Sequence, residues 1–76
     1  PLVSDLSYND LKSLESRHFY NLNNLSHLFL SHNVIERLDQ DCFVGLVRLI
    51  MLDLSYNQIK LIHPEAFSTL SSLKDL

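Results

Sequence analysis

The chain repeats itself every 24 residues, and this constrains its fold more than any other feature. In rows of 24, opening at Pro1, Leu25, Leu49 and Leu73, the columns agree with no insertion or deletion. Column six holds Leu6, Leu30 and Leu54; column nine holds Asn9, Asn33 and Asn57; column eleven holds Leu11, Ile35 and Ile59. Further along come Leu14, Leu38 and Ile62, then Phe19, Phe43 and Phe67, then Leu22, Leu46 and Leu70. Columns one and four read Leu25, Leu49, Leu73 and Leu28, Leu52, Leu76, and only Pro1 and Ser4 break the pattern. A unit this short cannot bury its apolar side chains alone, so successive units must stack and share one core. The repeats are 1–24, 25–48 and 49–72, with a partial repeat at 73–76.

Within each row the strand-like alternation is clear. Leu28-Phe29-Leu30-Ser31 and Leu52-Asp53-Leu54-Ser55 place leucines on one side and other residues on the opposite side, as a half-buried strand requires. Strands at the same position of successive coils run parallel, about 4.8 Å apart, with right-handed crossovers. The asparagine column has a physical purpose where the chain leaves the strand. Backbone groups lose their sheet partners there, and a side-chain amide can satisfy them. Asn9, Asn33 and Asn57 are therefore expected to form a ladder inside that bend. Phe19, Phe43 and Phe67 are expected to form a second ladder closing the far side of the core. Ser16 to Leu25 competes locally as a helix, but Pro64 in the corresponding part of row three argues against a long one.

The rows follow L-x-x-L-x-L-x-x-N-x-L, and over the entire chain this resembles the leucine-rich-repeat family. The 24-residue length with a phenylalanine in the second half is similar to its "typical" subfamily of extracellular receptors and matrix proteins. Toll-like receptors, leucine-rich-repeat hormone receptors and neuronal adhesion proteins are neighbours in sequence style. The resemblance implies an α/β solenoid with short parallel β-strands on a concave face. Its convex side would be mostly extended or 3-10, with little α-helix. It also implies a recognition module rather than an enzyme, extracellular or at the cell surface, binding a protein or peptide ligand, with a parent chain that could be membrane-anchored. A small leucine-rich matrix protein and an intracellular leucine-rich-repeat scaffold are the alternatives.

Composition narrows the chemistry. Net charge is −3, from six Lys+Arg against nine Asp+Glu, so the cationic surface that phosphate backbones need is missing and nucleic acid is not expected. The single cysteine, Cys42, allows no internal disulfide; beside the Phe43 rung it reads as a small structural thiol. No cofactor is implied. The four histidines have neither the spacing nor the shared face of a zinc site and read as solvated. Asp5 and Asp53 fall two strands apart, about 10 Å, in solvent and without a pocket to raise either pKa. Catalysis is not expected there.

Columns three, five and seven should face outward, with columns two and eight at the sheet's margins. Ser26 and His32 fall on those margins. Much of the surface repeats a filler, Asp5 to Asn9 and Asp53 to Asn57 both reading D-L-S-Y-N. His27, Phe29, Ile50 and Met51 depart from it and, with Tyr56, are the expected partner contacts. Asn24-Leu25-Ser26 is an N-glycosylation sequon in the loop before the second strand. No polar cap is visible at either end. The segment is accordingly expected to be cut from a longer solenoid and, alone, to be unstable or to self-associate through its open ends.

Overall fold

The computed structural model describes residues 2–14 and 18–76. Pro1 and residues 15–17, which include the start of the Ser16–Leu25 segment, lie outside the described residues. Strands β1 (Leu2–Asp5), β2 (Leu25–Phe29) and β4 (Met51–Asp53) form a parallel sheet in the order β1-β2-β4. Its register advances by one row per strand: Asp5 pairs with Phe29, and Phe29 with Asp53. An irregularity between Leu2 and Val3 marks where row one departs from the repeat. The backbone ladder continues past the strands through Leu6 N–H to Phe29 O (2.8 Å), Leu30 N–H to Asp53 O (2.8 Å) and His32 N–H to Ser55 O (3.1 Å).

On the return path, β3 (Arg37–Leu38) pairs in parallel with β5 (Leu61–Ile62). The remaining return path runs through turns closed from residue i+3 back to residue i. Examples are Leu46 N–H to Phe43 O (3.3 Å) and Leu70 N–H to Phe67 O (3.1 Å). None of them propagates into a helix among the described residues. A parallel-strand solenoid is the outcome.

Burial depends on having a neighbour on both sides. Row two is enclosed, with Leu28, Leu30, Ile35, Phe43 and Leu46 fully buried. Some columns open in the outer rows: Leu22 is 42 % exposed where Leu46 is 0 %, and Ile62 is 53 % exposed where Leu38 is 1 %. This is nearest-neighbour stacking, each coil being sealed by the next.

Both side-chain ladders are present. Asn33 lies in the bend after β2, with its Nδ2 donating to Leu6 O (3.0 Å), Leu30 O (3.0 Å) and Ser31 O (3.2 Å). Its Oδ1 accepts the backbone N–H groups of Asn9 (2.9 Å) and Leu11 (3.0 Å) in the preceding coil. Asn57 repeats the pattern one coil on, accepting Ile35 N–H (3.0 Å) and donating to Leu30 O, Leu54 O and Ser55 O. Asn9 is exposed, and among the described residues its side chain only donates, to Leu6 O and Ser7 O. The Phe19, Phe43 and Phe67 rings stack in series, with centroids 6.4 and 5.9 Å apart.

Gly45 has φ +102°, and a Cβ there would sit 2.7 Å from Tyr20 Cα, so coil two can approach coil one only without a side chain. The other left-handed positions are not glycines. Tyr8 (φ 60°), His32 (55°) and Tyr56 (55°) occupy column eight, where the chain leaves the strand, and Asp10 (55°) follows in row one. With one glycine in the chain, the repeat makes these bends from residues that must be held in place by their side chains.

Candidate functional site

The leucine side of the β1-β2-β4 sheet is sealed, which leaves its opposite side to meet another molecule. Register orders this outer side into rows running across the strands. Val3, His27 and Met51 form the first row, continued by the bridge from Met51 to Asp75. Asp5, Phe29 and Asp53 form the second. The third is hydroxylic, with Ser7 Oγ and Ser31 Oγ 3.0 Å apart, and Ser55 follows one coil on. At the strand exits Tyr8, His32 and Tyr56 stack face to face, with centroids 4.4 Å apart at both steps and interplanar angles of 5° and 8°.

Of the expected contact residues, His27, Phe29 and Met51 share the outer face and are each half-buried by their neighbours. Ile50 sits at the entry to β4, 39 % exposed. Tyr56 lies at the opposite margin, with one ring face against His32. Two expectations need correction. Ser26 is not a surface residue: it is 8 % exposed, and its hydroxyl turns inward to donate to Leu2 O of the previous coil at 2.9 Å. His32 is not simply solvated, being half-buried between two tyrosine rings. The Tyr-His-Tyr recurrence in column eight was the available signal. Its meaning required the left-handed backbone that turns each ring along the stack.

The aspartates are held ionised. Ser7 N–H donates to Asp5 Oδ1 at 2.9 Å, and this hydrogen bond is the main cause lowering that carboxyl below its ordinary value. Asp53 is lowered chiefly by the Ser55 hydroxyl at 2.6 Å, then by Ser55 N–H at 3.0 Å, with His32 adding in the same direction. Neither carboxyl has the raised pKa of a general acid. Among the described residues the one ion pair is Arg37 with Asp39, on the return side, so no cation neutralises the aspartates of the sheet.

A shallow concavity of about 500 Å³ opens on this face, lined by Asp5, Ser7, Tyr8, Phe29, Ser31 and His32. Cys42 is fully buried, and desolvation pushes its thiol up to about 11, which suppresses the thiolate a nucleophile would need. His27 Nδ1 lies 2.8 Å from Ser26 Oγ, and His63 Nδ1 accepts Glu65 N–H at 3.0 Å. No cluster of three or more His, Cys, Asp or Glu side chains suited to a metal ion occurs among the described residues. Likewise, no helix among the described residues is long and apolar enough to cross a membrane. Asn24 is exposed, its Oδ1 accepting from the Arg48 guanidinium at 2.7 Å.

No curated protein matches the chain significantly. A family profile described as Leucine rich repeat matches residues 5–59 and again 33–76, a register shift of about one coil that reflects the internal repetition. Together the two matches cover β2 to β5, the asparagine bends and the phenylalanine returns described above. The chain belongs to the leucine-rich-repeat family.

Proposed function

We propose that this chain recognises a protein or peptide partner through the outer face of its parallel sheet, as part of an extracellular or cell-surface receptor or adhesion ectodomain, and that it does so without catalysis. The observation that carries the reading is the ordering of unlike side chains into fixed rows on that face. His27 with Met51, Phe29 between two aspartates, and the aromatic stack stand on a backbone whose positions are set by the core behind it. A partner meeting such a surface loses little by ordering it, since the ordering cost was met on folding. Exposed aromatic and flexible apolar residues on a rigid support are the usual anchors of such contacts.

The test uses a partner selected from a library of extracellular domains. Phe29→Ser and Met51→Asp are each expected to weaken its binding by about 30-fold or more, as central interface anchors do. Their urea midpoints should stay close to that of the parent protein, because both side chains are half-exposed. Leu61→Asp, on the return side and 67 % exposed, should bind as the parent does. Loss of binding in Leu61→Asp with retention in Met51→Asp would sink the proposal.

Location has its own measurement. Asn24 is exposed in the loop before β2, so a protein passing through the secretory pathway should carry a glycan there. Enzymatic deglycosylation should reduce the mass of protein made in animal cells by one N-glycan, and Asn24→Gln should abolish that change. Protein carrying no sugar at Asn24 when secreted from the same cells would count against the ectodomain reading.

A further inference from the structure

The second row of the sheet is electrostatically incomplete. Phe29 projects between Asp5 and Asp53, its register partners on either side. Each aspartate commits Oδ1 to the serine two residues on, while Oδ2 receives no hydrogen bond among the described residues. Both carboxyls are held below their ordinary pKa, by the Ser7 and Ser55 hydrogen bonds respectively, and are charged at neutral pH. Columns three, five and seven of this face carry Asp5, Asp53 and Asp75 and no lysine or arginine.

We infer that the Asp5–Phe29–Asp53 row, with the concavity beside it, is a receptor for an arginine side chain of the protein partner. The inference rests on the recognition reading above and deepens it. A guanidinium is flat and can lie on the Phe29 ring, where the ring's negative face attracts it. Its edges carry N–H donors in a fixed fork, which suits two carboxylates flanking one ring. A divalent metal ion fits this row poorly. Oxygen ligands of one ion stand about 2.3–2.6 Å from it, whereas the aspartates are two strands apart, roughly 10 Å on the sheet lattice. Tyr8 and His32 wall the same concavity on one side, so the arginine stem would run along their ring edges while its charge sits between the carboxylates.

The test titrates the intact protein with capped arginine (N-acetyl-L-arginine methylamide), following amide and ring signals by NMR. Saturable shifts are expected at Asp5, Phe29 and Asp53, with affinity falling as salt rises. Capped citrulline, which matches the shape without the charge, should cause none, and capped lysine should bind more weakly. D5N/D53N keeps an oxygen for the serine N–H groups, so its fold should persist while arginine affinity drops about tenfold or more. Equal binding of citrulline, lysine as strong as arginine, or an unchanged affinity in D5N/D53N would each overturn the assignment. The two readings separate cleanly. If a partner is lost by Met51→Asp but kept by D5N/D53N, the arginine site falls and sheet-face recognition stands. If capped arginine titrates the row while Met51→Asp and D5N/D53N both keep the partner, recognition through the face falls, and the row's claim on an arginine of that partner falls with it.

Discussion

Replacing Asn33 with alanine is expected to destabilise the protein by about 3–5 kcal/mol, since several buried polar groups lose their partner at once and each orphaned group costs about 1–3 kcal/mol. Asn33 is 5 % exposed. Its amide serves the carbonyls of Leu6, Leu30 and Ser31 and the N–H groups of Asn9 and Leu11, so one side chain fastens two coils. Water cannot fully replace it in that bend. Thermal unfolding should move down by more than about 12 °C for a domain of this size. Asn33→Asp is a sharper variant: it keeps an oxygen for the two N–H groups but turns a second oxygen toward three carbonyls, so it should cost nearly as much. Asn57→Ala should cost less, because Asn57 is half-buried, and Asn9→Ala least, because Asn9 is exposed and its side chain accepts from none of the described residues. Circular-dichroism melts of the four variants check this order, and an Asn9→Ala as damaging as Asn33→Ala would refute the account.

Phe43→Ala should be comparably severe. The ring is fully buried and stacked on both sides, with Phe19 at 6.4 Å and Phe67 at 5.9 Å. Removing it loses the transfer free energy of a large apolar side chain and leaves a cavity, together about 3–5 kcal/mol. Two ring pairs, each contributing about 0.5–1.5 kcal/mol beyond area burial, disappear with it. Cys42, Leu46 and Ala66, in the same core cluster, are themselves fully buried, which limits how far the site can collapse to refill the space. Phe67→Ala, at a half-buried rung, should lose less. Phe43→Leu should recover more than half of the loss by keeping aliphatic contact. Chemical denaturation of the three variants measures the difference, and equal losses at positions 43 and 67 would mean that the rungs do not differ in packing.

The lattice behind these predictions was legible from spacing alone, because leucine, asparagine and phenylalanine recurring at fixed columns fit stacked coils and little else. The outward face was legible in kind. Alternation places Phe29 and Met51 opposite Leu28 and Leu52, yet it also placed Ser26 at an open margin. There a hydroxyl that finds Leu2 O prefers the interior, and this depends on how closely the coils approach. The β3–β5 pairing was not legible: two residues per strand, Arg37-Leu38 and Leu61-Ile62, are too few to show a period. The Tyr8–His32–Tyr56 stack was half visible. The side-chain types recur in the sequence, but the positive φ that aligns their rings belongs to the backbone. A charge map of the face followed from the same columns, whereas the serine hydrogen bonds that keep Asp5 and Asp53 ionised needed atomic distances.

The two aromatic columns do not advance by the same amount per coil. Tyr8, His32 and Tyr56 step by 4.4 Å and stay within 8° of parallel, whereas the phenylalanines step by 6.4 and 5.9 Å and tilt by 15° each time. Every turn of the chain is thus a wedge, thin where the strands end and thick at the phenylalanine rim. Wedges laid side by side make an arch with the sheet on its inner surface. Side chains standing on that surface lean toward a common centre, so a rounded partner would be gripped from several coils at once while a flat one would touch only the rims.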